Sequence, residues 1–318
     1  MIKRLHLNLY AGESFDALLE PSCSLPRGSL HELRLEVPHN EKRISPPTWN
    51  WEITKLLNRL PPIRKLQISA TATLRLNPSI FTSIHKLVLI DVQWCDPQSL
   101  LNSLPQLQSL ELRRRIPDCI TKTWDRPALI HHQLVFIRIE WMGRESVSWF
   151  NGLSFPNLQT LNVTEGILTP DIFPFISSHP SIKNIENKVF PHVLRELEQV
   201  APQLTHLTLR HDLLFNLQFY LFHEFKHLRS LKIRDDDGYF RQEEFDRLVQ
   251  MRCLPSSHDQ CQRPAHIDTP LELLIIVNRR YRSSASLFPL IPWRKSSLIK
   301  ESTRNETEGS TERILSWI

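Results

Sequence analysis

The sequence predicts an α/β solenoid, with short parallel strands on a concave face and helices or irregular turns on a convex one. Three observations predict it. The first is a recurring apolar triplet, in which a Leu or Ile is followed three and five residues later by two more. It occurs at Ile2/Leu5/Leu7, Leu30/Leu33/Leu35, Ile63/Leu66/Ile68, Ile84/Leu87/Leu89, Leu107/Leu110/Leu112 and Leu134/Ile137/Ile139. It continues at Leu158/Leu161/Val163, Leu204/Leu207/Leu209, Leu228/Leu231/Ile233 and Leu271/Leu274/Ile276, with a weaker copy at Ile182/Ile185. The second is the interval. From Ile63 to Leu228 successive copies begin 21 to 27 residues apart, close to the roughly 20–29-residue period of leucine-rich repeats. The third is a proline two residues ahead of five copies: Pro61, Pro105, Pro156, Pro180 and Pro202.

Each element has a physical reason. The end of the triplet alternates apolar, polar, apolar, as a half-buried strand does. One repeat cannot bury that side alone, whereas stacked neighbours make a continuous Leu/Ile column. Apolar spacing over 49–60, 97–104 and 191–200 is helical. Pro97 and Pro191 suit a first helical turn, where a missing amide is harmless. The prolines ahead of the strands stop the preceding helix.

The solenoid is expected over 1–281, with 1–29 as an irregular cap or truncated repeat. The longer step from Leu228 to Leu271 places an insertion at 238–270. Residues 282–318 are polar over much of their length and read as a mostly disordered tail.

Composition excludes several function classes. A formal net charge of +5 over 318 residues is too mild to point to a nucleic-acid surface. Seven glycines, without GxGxxG or GxxxxGK[ST], give no phosphate-cradling loop and no cofactor site. Five scattered cysteines fit reduced thiols in the cytoplasm or nucleus. The apolar run at 273–277 is too short to span a bilayer, so no membrane partner is expected. Cys253, His258, Cys261 and His266 are zinc-ligand types, but their C-x4-H-x2-C-x4-H spacing matches no common structural pattern, and no metal is assigned. No nucleophile and base are gathered in a telling pattern, so an enzyme is not expected.

The phrases FPNLQTLNVTEG, FPFISSHPSIKNI, APQLTHLTLR, FKHLRSLKIRD and FDRLVQMRCLP resemble the leucine-rich-repeat region of fungal F-box proteins. The resemblance covers about Leu30 to Tyr281. It implies a protein partner and substrate recognition for ubiquitin ligation, with a cullin-RING ligase adaptor as a further partner. The chain departs from the family in two ways. No leucine-proline-rich F-box segment is recognisable ahead of the first repeat, so the chain is expected to supply the recognising half. The repeat asparagine is also replaced, by Thr71, Val92, Arg115, Met142, Asp212 and Asp236, so irregular turns are expected.

The binding surface of choice is the concave face, formed by the intervening strand positions. Val88, Ile90, Glu111, Arg113, Arg138, Glu140, Arg210 and Lys232 are the candidate protein-binding residues. One reading is a solvated face of paired charges. The sharper one is a stripe for an acidic or phosphorylated segment, gripped by forked arginine contacts. Val88 and Ile90, with Trp94 and Trp141 nearby, read as an apolar anchor, while Trp49, Trp51 and Trp124 read as convex cover. The register is open to a direct check. Leu110→Ala lowers stability by roughly 2–5 kcal/mol in denaturant unfolding if Leu110 is core, and an unmoved midpoint contradicts the assignment.

Overall fold

The structure is a computed structural model that describes residues 3–8, 30–36, 62–70, 82–92, 97–113, 128–140, 152–167, 172–188, 191–210, 225, 227–235, 273–278, 299–305 and 311–317. They fall into two compact units, Met1–Thr164 and Glu165–Ile318. In the first, strands β1 (Arg4–Asn8), β2 (Glu32–Glu36), β3 (Lys65–Ser69), β4 (Lys86–Ile90), β5 (Ser109–Arg113), β7 (Phe136–Glu140) and β9 (Thr160–Ile167) pair in parallel, in that order. A separate two-stranded parallel pair joins β6 (Leu129–Ile130) to β8 (Leu153–Ser154). In the second unit, β10 (Asn184–Lys188), β11 (His206–Arg210), β12 (Ser230–Asp235) and β13 (Leu273–Asn278) are parallel. The architecture is the parallel-stranded repeat solenoid that the triplets predict.

The register follows the triplet residue for residue. Leu33, Leu66, Leu87, Leu110, Ile137 and Leu161 stand opposite one another along the first sheet, and all six are buried without measurable exposure. The row two residues on, from Leu35 to Val163, is also buried, as is the leading position from Leu30 to Leu158. Each fully buried Leu or Ile contributes about 1.5–3 kcal/mol relative to exposure, so three such rows supply most of the drive for stacking. The weaker copy forms a full strand: Ile182 and Ile185 are buried and Ile185 is in register with Leu207.

A hydrogen-bond ladder fixes that register. In the first unit the carbonyl of the residue before each strand accepts two amides of the next repeat. Lys3 serves His31 and Glu32, His31 serves Arg64 and Lys65, and Arg64 serves His85 and Lys86. His85 then serves Gln108 and Ser109, Gln108 serves Val135 and Phe136, and Val135 serves Gln159 and Thr160, all at 2.8–3.2 Å. In the second unit Lys183 and Thr205 do the same for the strands that follow them.

The prolines have a more specific role than helix stops. Leu107, Leu158, Ile182 and Leu204 donate their amides to the carbonyls of Leu104, Phe155, His179 and Ala201 at 3.0–3.2 Å. Each bond closes a β-turn with Pro105, Pro156, Pro180 or Pro202 at its second position, where proline's fixed φ suits the turn. The residue that opens each turn is buried, so the turn pins one more side chain into the core. His131 occupies the same place, 5% exposed, and its Nε2–H donates to the Leu104 carbonyl at 2.9 Å.

Two of the three helical expectations fall on described residues and hold: α1 spans Pro97–Asn102 and α3 spans Pro191–Val200, each beginning at the proline. The third, over 49–60, lies outside the described residues. A further helix, α2 (Phe173–Ser177), packs on α3. At the missing asparagine position of the fourth repeat, Val92 is buried at 1% exposure. Beside it Asp91 adopts a left-handed φ of 60°, which Asp tolerates better than most residues. Thus an apolar side chain and a strained residue replace the ladder asparagine there.

The structure differs from the disordered-tail expectation. Strands β14 (Ile299–Asn305) and β15 (Thr311–Trp317) pair antiparallel, and β15 pairs antiparallel with β13. The pairing places Ile314 opposite Ile275 and Leu315 opposite Leu274, so a short apolar run near the end finds the apolar strand β13 despite polar surroundings. The insertion 238–270 and its Cys/His group lie outside the described residues.

His179 shows how a polar side chain is held in the core. It is 2% exposed, lies against the Phe175 ring at 4.1 Å between centroids, and donates Nδ1–H to the Phe175 carbonyl at 2.6 Å. Burial pushes its pKa below the ordinary 6.5, against the opposing pull of that carbonyl. A depressed folded pKa means that stability is full above the unfolded pKa and is lost as pH falls through the folded one. Acid titration of stability is therefore expected to flatten in His179→Phe below about pH 6.5; an unchanged slope in chemical denaturation contradicts a buried neutral imidazole.

Candidate functional site

Alternation sends the first, third and fifth residue of each strand to the sheet face opposite the core. In the first unit the third positions form the row Arg34, Gln67, Val88, Glu111, Arg138 and Asn162, each in register with the next. The flanking rows run Glu32, Lys65, Lys86, Ser109, Phe136 and Thr160 on one side, and Glu36, Ser69, Ile90, Arg113 and Glu140 on the other. Six of the eight candidate residues thus share one face of one unit. Arg210 and Lys232 belong to the second unit, on β11 and β12; Lys232 is half-buried and in register with Thr208.

The charges on this face are committed to one another. Glu32 is held by Lys65 at 2.6 Å and by Arg4 at 3.2 Å. Glu36 takes Arg34 Nε at 2.8 Å and His6 at 3.2 Å. Glu111 is paired with Lys86 through one oxygen and with Arg113, at 2.7 Å, through the other. Arg113 Nε lies 3.8 Å from Glu140. In the second unit Arg234 reaches Glu186 at 3.2 Å across the intervening β11. Some of these contacts join next-but-one residues of one strand, such as Arg34–Glu36 and Glu111–Arg113, while others join strands one or two repeats apart, so the sequence shows a mixed face without showing which charges meet.

Two placements depart from a uniformly solvated surface. Val88 is 3% exposed, so it is not an open surface anchor; Ile90, two residues on, is half-buried. Trp94 and Trp141, the expected companions of that anchor, lie outside the described residues, as do Trp49, Trp51 and Trp124. Glu111 is 4% exposed, on the face where water is expected. Its burial raises the carboxyl pKa, but hydrogen bonds and charge from Lys86 and Arg113 outweigh that and hold it below the usual range. Lys65 likewise lowers Glu32. Glu36 follows the Glu111 pattern, with burial overcome by Arg34 and His6.

Arg138 is different. It is half-buried beside Glu111 and Asn162 and makes no ion pair with a described residue, while its Nε, like that of Arg113, is buried with no hydrogen-bond partner among the described residues. Arg138 and Arg113 share one stripe in the sequence pattern; the structure distinguishes them, since Arg113 is engaged by carboxylates. No helix among the described residues is long and apolar enough to cross a membrane.

No protein-family model matches the chain, and comparison with curated proteins finds no match. Solved structures that align with the chain include the following two. The leucine-rich repeat-containing protein LegL7 from Legionella pneumophila aligns at 14% identity and a TM-score of 0.49, covering 87% of this chain and 91% of its own. A protein from Bacteroides fragilis aligns at 15% identity and a TM-score of 0.48, covering 65% of this chain and 70% of its own. The repeat fold of the present chain rests on its own strand register and buried Leu/Ile rows.

Glu111→Gln keeps the shape but removes the charge that Lys86 and Arg113 share. The expected loss is about 1.5–3 kcal/mol at neutral pH, as for hydrogen bonds to charged groups. The lowered carboxyl pKa means this contribution is present above the unfolded value and lost as pH falls through the folded one. The variant and the wild type should therefore converge in acid. A gap that persists at low pH contradicts the ionic origin.

Proposed function

We propose that the chain is a non-catalytic protein-interaction scaffold that receives a protein partner on the outward face of its parallel sheet. The carrying observation is the in-register face of the first unit, where half-buried Ile90 and Phe136 sit among fixed charges of both signs. Such a surface combines apolar area with oriented polar groups, the mixture that recognition interfaces use. Paired charges contribute more to partner choice and register than to raw affinity. The finer reading is substrate recognition of the F-box/LRR type in ubiquitin ligation, with the partner as substrate; its support is the sequence resemblance over Leu30 to Tyr281. Cytoplasm or nucleus is the compartment this reading requires.

The test is affinity purification of the tagged chain from its own cells, beside an Ile90→Asp/Phe136→Asp variant shown to retain the wild-type melting transition. A partner recovered with the wild type and lost with the variant supports the scaffold reading. Recovery that ignores the outward face contradicts it. Co-purification of an F-box adaptor and cullin supports the ligase reading, and their consistent absence sinks that reading alone.

A further inference from the structure

We infer that Arg138 is the receptor for a single carboxylate, an Asp or Glu side chain carried by the protein partner; this rests on the scaffold reading above and names the chemistry it selects. Outward residues alternate in sign across β5 and β7: Glu111 and Arg113 on one, Arg138 and Glu140 on the other, with Glu111 opposite Arg138 in the register. Lys86 joins from β4 through its contact with Glu111. Three cations meet two carboxylates, so the group carries one positive charge in excess.

The geometry assigns that excess to Arg138. Both oxygens of Glu111 are engaged, by Lys86 and by Arg113, and Glu140 lies 3.8 Å from Arg113 Nε. Every other cation on a strand of this unit has a carboxylate partner: Arg4 and Lys65 on Glu32, Arg34 on Glu36, Lys86 and Arg113 on Glu111. Arg138 makes no ion pair with a described residue; its Nε is a buried donor without a hydrogen-bond partner among them, as is Arg113 Nε, so it is the missing carboxylate that sets Arg138 apart.

The surroundings set the ligand class. The two terminal Nη groups of an arginine form a planar fork that matches a carboxylate end-on, which a lysine cannot offer. On the far side of Arg138 the neighbours Asn162 and Thr160 are uncharged, and Phe136, one pleat away on the same strand, is half-buried. An acidic side chain can therefore meet the guanidinium on that side while its neighbours lie on Phe136. One negative charge neutralises the group. A phosphate dianion brings a second charge against Glu111 and Glu140, which is repulsive. Carboxylate is favoured over phosphate on that balance.

The experiment uses the full chain and three degenerate peptide pools that differ only in a fixed central residue: Glu, Gln or phosphoserine. Retained peptides are quantified by mass spectrometry. The expected result is enrichment of the Glu pool over the Gln pool by roughly tenfold, about 1.4 kcal/mol, with the phosphoserine pool no better than Glu. Enrichment should fall to parity in Arg138→Gln and also in Arg138→Lys, which keeps the charge and removes the fork; both variants are first matched to wild type in thermal melting. No retention of the Glu pool, equal retention of Gln, preference for phosphoserine, or enrichment indifferent to both variants overturns the proposal. The scaffold reading fails separately, only if no partner depends on the outward face.

Discussion

The constraint on which the rest of this structure depends is the doubly accepting carbonyl ahead of each strand. One backbone oxygen, such as that of His85, receives the amides of Gln108 and Ser109 from the next repeat. That arrangement leaves no freedom for a one-residue slip, which would exchange every buried Leu for its outward neighbour. The Leu/Ile rows supply the drive for stacking, and the ladder converts a nonspecific apolar attraction into one register. The turn-opening residues, Leu104, Phe155 and His131 in the first unit, add a further buried position beyond the triplet.

The register then has an electrostatic consequence. Because Glu111 stands between β4 and β7, Lys86 and Arg113 can close over it, and a carboxylate that is nearly inaccessible stays ionised. Exposed ion pairs of this kind contribute little individually. The Glu111 group differs because the acid is buried while its two cations remain about one-third exposed. Such a face is largely satisfied by itself, and a partner must compete with existing pairs at most positions. Arg138 stands out against that background, since no pair has to be broken to reach it.

Much of this fold was legible in the sequence, because three apolar positions per repeat suffice to fix strand, face and neighbour. The helices beginning at Pro97 and Pro191 were legible for the same reason, an apolar period plus a residue that suits the first turn. Other features carry no local signal. The two-residue strands Leu129–Ile130 and Leu153–Ser154 are too short to alternate, and α2 has Pro174 in its first turn and only five residues. β14 and β15 sit in a polar stretch where only pairing with a distant strand makes them strands. The candidate site was half legible: the outward positions follow from alternation, whereas the burial of Val88 and Glu111 depends on contacts between repeats. The contact of Lys86 with Glu111, and Arg138's lack of a described partner, likewise arise only once strands about 25 residues apart are side by side.

The register is the central claim, and methyl–methyl nuclear Overhauser contacts in the labelled full-length protein measure it most directly. The account predicts contacts from Leu87 to Leu110, from Leu110 to Ile137, and from Ile137 to Leu161. Contacts from Leu112 to Ile137 without Leu110 to Ile137 would show strands displaced by two residues. In that case Glu111 no longer faces Arg138, and the outward face described here dissolves with it.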